Sequence, residues 1–169
     1  MSALLSAVPH RPTRVLDRAE LSAIVVDLAR DRDAWQPLVR HLPERRWWTR
    51  LVSDSAVDAW LISWPGREGT DLHDHGASAA ALTVVEGTLE HVLAARSGEL
   101  SREALAPATL LTVEPWAVHD VGNPRGTPAV SIHAYSPPLE QMTFYRRHSG
   151  GLEPVRTLRG DEPDIEQPW

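Results

Sequence analysis

Across residues 47–145 the chain is a succession of short apolar runs, each cut off by a proline or a glycine. This punctuation constrains the fold more than any other feature. Val57-Asp58-Ala59-Trp60-Leu61-Ile62-Ser63-Trp64 stops at Pro65-Gly66, and residues 79–85 stop at the turn Glu86-Gly87, where glycine is free to take positive φ. Residues 88–94, 109–113, 116–121, 129–135 and 142–145 continue the series. Runs of this length suit strands rather than long helices, and their regular spacing predicts an all-β sandwich or barrel. The 14 prolines and 10 glycines in 169 residues agree with many short segments.

The first quarter follows a different period. Leu16, Leu21, Ile24, Val25, Leu28 and Ala29 recur at intervals of three and four, which predicts a helix with Asp17 or Ser22 as its cap. A second short helical piece is expected over residues 33–41, with Trp35, Leu38 and Val39 on one side and Pro43 as its stop. After Ser149 the chain is charged and carries proline, and a loosely held tail is expected there. The expectation is one domain over residues 1–169: a helical part to residue 45, a β-barrel over 46–148 and the tail over 149–169.

Charge and composition narrow the partners. The net charge is −6 and basic residues come no denser than pairs such as Arg45-Arg46, so a nucleic-acid surface is not expected. No stretch reaches the ~20 apolar residues of a membrane helix, and the start lacks a basic, apolar leader. A cytoplasmic protein, monomeric or weakly homo-oligomeric, is the expectation. There is no cysteine, which excludes disulfides and thiolate metal sites and leaves His, Asp and Glu as metal ligands.

The chemistry concentrates at Leu72-His73-Asp74-His75-Gly76. In an extended segment residues i and i+2 face the same side, so His73 and His75 can hold one ion while Asp74 points away. A third imidazole, His119, ends a later run and is followed by Asn123. A His-x-His pair alone is often a surface accident; here it stands between two turns and ahead of an apolar run. Such ligands admit iron as well as zinc, nickel or manganese. His91 reads as a barrel or surface histidine rather than a fourth ligand, and His10, His41 and His148 as peripheral. Trp35, Trp47, Trp60 and Trp116 read as core or pocket wall.

A second row is Ser131-Ile132-His133-Ala134-Tyr135-Ser136-Pro137-Pro138. Alternation puts Ser131, His133 and Tyr135 on one face of a strand, where hydroxyl, imidazole and phenol can form a hydrogen-bonded relay. A polar barrel lining without a catalytic role is the competing reading.

Together these motifs resemble the cupin superfamily, which implies a double-stranded β-helix or jelly-roll-like barrel preceded here by short helices. In the first cupin motif a glutamate follows the histidine pair; Ala80 stands in its place, while Gly87 keeps the motif's glycine. The site is thereby reduced to three neutral imidazoles. Residues 47–145 further resemble the cysteine dioxygenase family of cupin thiol dioxygenases, through the three histidines, Asn123, the Ser-x-His-x-Tyr-Ser-Pro-Pro string, Trp64 and Trp48-Thr49-Arg50-Leu51-Val52. That resemblance implies iron(II) on His73, His75 and His119, and conversion of L-cysteine with O2 to cysteine sulfinic acid. It implies Arg50 on the substrate carboxylate, Tyr135 beside the substrate backed by His133 and Ser131, Trp64 as a pocket wall, and a cis Ser136–Pro137 bond. Relatives that oxidise 3-mercaptopropionate usually carry glutamine at the arginine position, so Arg50 points to cysteine. The cysteine that crosslinks to the site tyrosine in some members is Ala80 here. The alternatives are another small-thiol dioxygenase or a non-catalytic cupin that binds a small ligand.

Overall fold

The computed structural model describes residues 14–159. A helix, α1 (Arg18–Arg30), opens the described chain, with Asp17 as its cap. Asp17 accepts from the Glu20 amide at 2.9 Å while Glu20 accepts from the Asp17 amide at 2.9 Å, a reciprocal capping box. The second helix, α2 (Arg32–Trp35), is a single turn followed by a 3-10 turn at Gln36–Leu38. It stops short of the expected residue 41 because Pro37 already lies in that turn and offers no amide hydrogen.

The strands follow: β1 (Trp47–Ser53), β2 (Asp58–Trp64), β3 (Glu68–Gly69), β4 (His73–Asp74), β5 (Ala79–Glu86), β6 (Leu89–Ala94), β7 (Leu100–Leu105), β8 (Leu110–Val113), β9 (Val118–Asn123), β10 (Ala129–Ser136), β11 (Gln141–His148) and β12 (Gly151–Arg159). They form two sheets. The first runs β1-β2-β10-β5-β8 and the second β12-β11-β4-β9-β6-β7, with β3 paired to β9. All pairs are antiparallel. Gly87 takes φ +75° at the β5–β6 turn, and a Cβ there would stand 2.6 Å from the Pro128 carbonyl oxygen, so only glycine fits.

Alternation along the central strands divides the core in two. Trp60, Ile62 and Trp64 of β2, Ala80, Leu82 and Val84 of β5, and Tyr135 of β10 face the barrel interior, against Leu89, Leu105 and Val121. Their neighbours Ala59, Leu61, Ala81, Val130, Ile132 and Ala134 face outward, where Leu21 and Val25 of α1 and Trp35 of α2 cover them. The helices therefore roof the outer face of the first sheet. The central strands of that sheet are buried on both sides, so β2 reads as a nearly continuous apolar run, while β10 keeps its polar groups on the interior face. Ser136 fastens the roof: its hydroxyl donates to the Ala56 carbonyl at 2.7 Å and accepts from the Leu16 amide at 2.8 Å. The Ser136–Pro137 peptide is cis.

The segment Trp47–Ser53 is an edge strand paired to β2. One expectation gives way to the observed strands. The tail expected after Ser149 is a strand over Gly151–Arg159, paired along its length with β11. Its exposed side chains mix Glu153, Thr157 and Arg159 with Pro154 and Val155, so the apolar period that marks a half-buried strand is absent. Residues 160–169, and His10 at the other end, lie outside the described residues.

Candidate functional site

β4 is two residues long and sits between β11 and β9, with His73 directly opposite His119. That register, and the turn at Gly76, bring three imidazoles together inside the barrel. The ring centroids of His73, His75 and His119 are 4.7 to 4.9 Å apart, and one nitrogen from each lies within 4.8 Å of the others. All three residues are buried. Asp74 points the other way: it accepts from the Gly76 amide at 2.8 Å and from the Tyr145 hydroxyl at 2.6 Å, locking the loop that presents its neighbours.

The protonation pattern suits an ion. His73 Nδ1 lies 2.8 Å from the Asp71 carbonyl oxygen, which can only accept, so Nδ1 carries the hydrogen and Nε2 keeps its lone pair. That Nε2 faces His75 Nε2 at 3.1 Å. Two nitrogens bound at about 2.1 Å and at right angles to one ion would stand about 3.0 Å apart. His75 Nδ1 and both ring nitrogens of His119 are buried without a partner among the described residues. Burial of that kind is costly unless another group satisfies the nitrogens. Burial also pushes all three imidazoles below their ordinary pKa, which keeps them neutral and ready to ligate. A divalent ion with affinity for nitrogen fits this donor set.

One cavity joins these rings to β10. Its lining includes the three histidines, Arg46, Trp64, His133, Tyr135, Leu139, Met142 and Phe144. The relay on β10 is present: Trp64 Nε1 donates to Ser131 Oγ at 2.8 Å, and Ser131 Oγ lies 2.8 Å from His133 Nε2. The Ser131 oxygen accepts from Trp64, and for its buried hydrogen His133 Nε2 is the acceptor within reach. His133 Nδ1 then carries the ring hydrogen and meets the Tyr135 oxygen at 3.4 Å, a long contact. The polarity runs towards Tyr135 and leaves the phenol hydrogen for the cavity. Burial lowers His133 to about 3 and raises Tyr135, so at neutral pH the ring is uncharged and the phenol protonated. The Tyr135 ring lies 4.8 Å from that of His75.

Arg50 is not at this cavity. Its guanidinium lies 4.3 Å above the Trp60 ring, with Nε 3.8 Å from Asp58 and an Nη 3.4 Å from Ser53 Oγ. The arginine that lines the cavity is Arg46, buried, its guanidinium 5.3 Å over the Trp64 ring and its Nε 3.4 Å from Glu68. Pleating places residues 46, 48 and 50 on one face of the β1–β2 hairpin, so the sequence contained the alternative. The Trp-Thr-Arg-Leu-Val string drew attention to Arg50, whose side chain does not line this cavity. Phe144 and Met142 were also missed as lining, since apolar residues in a strand carry no sign of which cavity they face.

The remaining sequence candidates have structural roles. Asn123 donates to the Thr127 carbonyl at 2.8 Å and accepts from the Arg125 amide at 3.1 Å, shaping a turn. His148 accepts from the Gly150 amide, and Trp35 and Trp60 are core. Trp116 was expected in core or wall but is 61% exposed on a positive-φ turn.

The model of the family "Cysteine dioxygenase type I" matches residues 13–148. Human cysteine dioxygenase type 1 is 25% identical over 142 residues, covering 78% of this chain and 70% of that protein. The cattle protein of the same name is 28% identical over 99 residues, covering 53% and 50%. Among solved structures, TT1209 of Thermus thermophilus superposes with TM-score 0.54 at 20% identity, covering 60% of this chain and 92% of that one. A double-stranded β-helix protein of Klebsiella pneumoniae gives 0.52 at 14%, covering 72% and 93%. Those two likenesses concern the cupin barrel alone. The matched span takes in the helical roof, both sheets as far as β11, the three histidines and the β10 relay, and the chain belongs to the cysteine dioxygenase type I family.

Proposed function

We propose that this chain is an iron(II) thiol dioxygenase that converts L-cysteine to cysteine sulfinate. The observation that carries the reading is one cavity lined by four neutral buried imidazoles, three of them clustered, with one guanidinium and one protonated phenol, and with no carboxylate among its described lining residues. A ligand set without charge suits a substrate that arrives as an anion. Iron(II), held by His73, His75 and His119, would supply the redox chemistry that lets dioxygen react with a thiolate. The conversion balances without an external reductant: thiolate and O2 give sulfinate, both oxygen atoms end on sulfur, and sulfur is oxidised by four electrons.

The chain's own share is placement. Among the described residues that line the cavity, Arg46 is the one permanent charge, and its planar fork suits a carboxylate. Trp64 and Glu68 hold that guanidinium in place. Tyr135, oriented by His133 and Ser131, donates its hydrogen into the cavity, where a developing sulfur–oxygen anion can accept it. Phe144, Met142, Leu139 and Ile62 exclude water around the reacting groups.

The test is oxygen uptake by iron(II)-loaded protein with L-cysteine and with 3-mercaptopropionate in parallel. Uptake with cysteine matched by equimolar sulfinate is the expected result. Preference for 3-mercaptopropionate would overturn the substrate. No uptake with either thiol, in protein that retains iron, would overturn the activity in favour of a binding role.

A further inference from the structure

We propose that His91 is a positioning residue for the metal centre, its Nε2 accepting the hydrogen of the His119 ring nitrogen that faces away from the ion. Glu103, His91 and His119 would then form one hydrogen-bonded line ending at the metal. The inference rests on the metal-centre part of the proposed function and not on the thiol chemistry.

His91 lies on β6 beside β9, buried, with its ring 5.3 Å from that of His119 at an interplanar angle of 60°. Its Nδ1 stands 2.9 Å from a carboxylate oxygen of Glu103, which faces it across the β6–β7 pair. An ionised carboxylate only accepts, so Nδ1 carries the ring hydrogen and Nε2 of the neutral ring is an acceptor. That Nε2 is buried and has no partner among the described residues. His119 offers the complement. Once one of its ring nitrogens ligates an ion, the other carries a hydrogen, and among the described residues neither nitrogen has a partner. A buried acceptor without a donor thus adjoins a buried donor without an acceptor, a combination that folded proteins rarely leave open.

His91 is not a fourth ligand, because among the described residues the cluster of mutually close donor atoms consists of His73, His75 and His119. In the structure the two rings meet edge to face and no hydrogen bond joins them. The bond is expected to close when an ion fixes the orientation of His119. Such a bond to the non-ligating nitrogen orients the imidazole and raises its basicity, and removing its partner typically costs about 10–100-fold in metal affinity.

The experiment measures anaerobic iron(II) affinity by competition with a chromogenic chelator, and the visible spectrum of the cobalt(II) form. Wild type, His91→Phe, His91→Gln and Glu103→Ala are compared, with metal-free melting midpoints to separate folding from binding. His91→Phe is expected to lose about 10–100-fold in iron affinity and to shift the cobalt bands. His91→Gln, whose carbonyl can accept, should restore most of both. Equal affinity in wild type and His91→Phe, or equal losses in the two His91 variants, would overturn the proposal. If His91→Phe does not fold, Glu103→Ala decides: several-fold weaker iron binding supports the line, and unchanged affinity overturns it. Tight iron binding without thiol oxidation in wild type would sink the activity alone.

Discussion

Arg46 and Arg50 share one face of one hairpin, four residues apart, yet they live in different surroundings. Arg46 opens onto the histidines, whereas Arg50 lies over Trp60 beside Asp58. Replacing each by glutamine should separate them. Arg46→Gln is expected to raise the KM for L-cysteine by about 10–100-fold, the loss of a charge-assisted hydrogen bond of about 1.5–3 kcal/mol. Arg50→Gln should leave KM within about threefold, as befits a group outside the cavity. Steady-state kinetics in which only Arg50→Gln lost affinity would return the carboxylate to Arg50. The contrast explains what a sequence discloses at this scale. The histidine pair was legible because its spacing is local, and His119 because the motif fixes it. The choice between two arginines depended on how β1 registers against β2, which no local pattern encodes.

Elements were legible where a buried, largely apolar run is closed by a turn residue. β2, β5 and β10 stood out for that reason. β7 has a largely exposed burial pattern, and β12 carries Glu153, Arg156 and Arg159 with Pro154 at its bulge. Neither shows the period of a buried strand. Pro154 is tolerated because β12 is an edge strand, where a missing amide hydrogen leaves no neighbour unpaired. β12 also supports the cavity wall, since Arg156 lies 4.5 Å from the centre of the Phe144 ring and Phe144 lines the cavity beside His73. Removing residues 151–169 would expose the long edge of β11 and uncover that ring. The shortened protein is expected to melt lower by several degrees and to aggregate at concentrations where the full chain stays dispersed. Light scattering and a melting curve check this; unchanged behaviour in both would make β12 an ornament.

At the scale of the molecule, the helical roof frees the interior face of the first sheet to carry polar groups. Ser131 and His133 are buried in a barrel whose other wall holds three further imidazoles. Burial lowers all four imidazoles, His133 to about 3. Below pH 6.5 the unfolded chain takes up protons on these rings while the folded chain does not. Stability is therefore present above that pH and is lost as acid is added, for His133 down to about 3. Each ring contributes up to about 1.4 kcal/mol per pH unit in that window. The melting midpoint of the metal-free protein should fall steadily from pH 7 to pH 5; a flat profile would mean that the rings are hydrated rather than buried.

The β1–β2 hairpin is a ruler whose graduations are two residues wide, about 6.7 Å. An arginine at mark 46 reaches the histidines and one at mark 50 does not. Cysteine and 3-mercaptopropionate place sulfur and carboxylate at the same separation, two carbons apart, so this ruler measures them as equal. Whatever tells the two thiols apart has to be read at the amine, which cysteine alone carries on the carbon that bears the carboxylate.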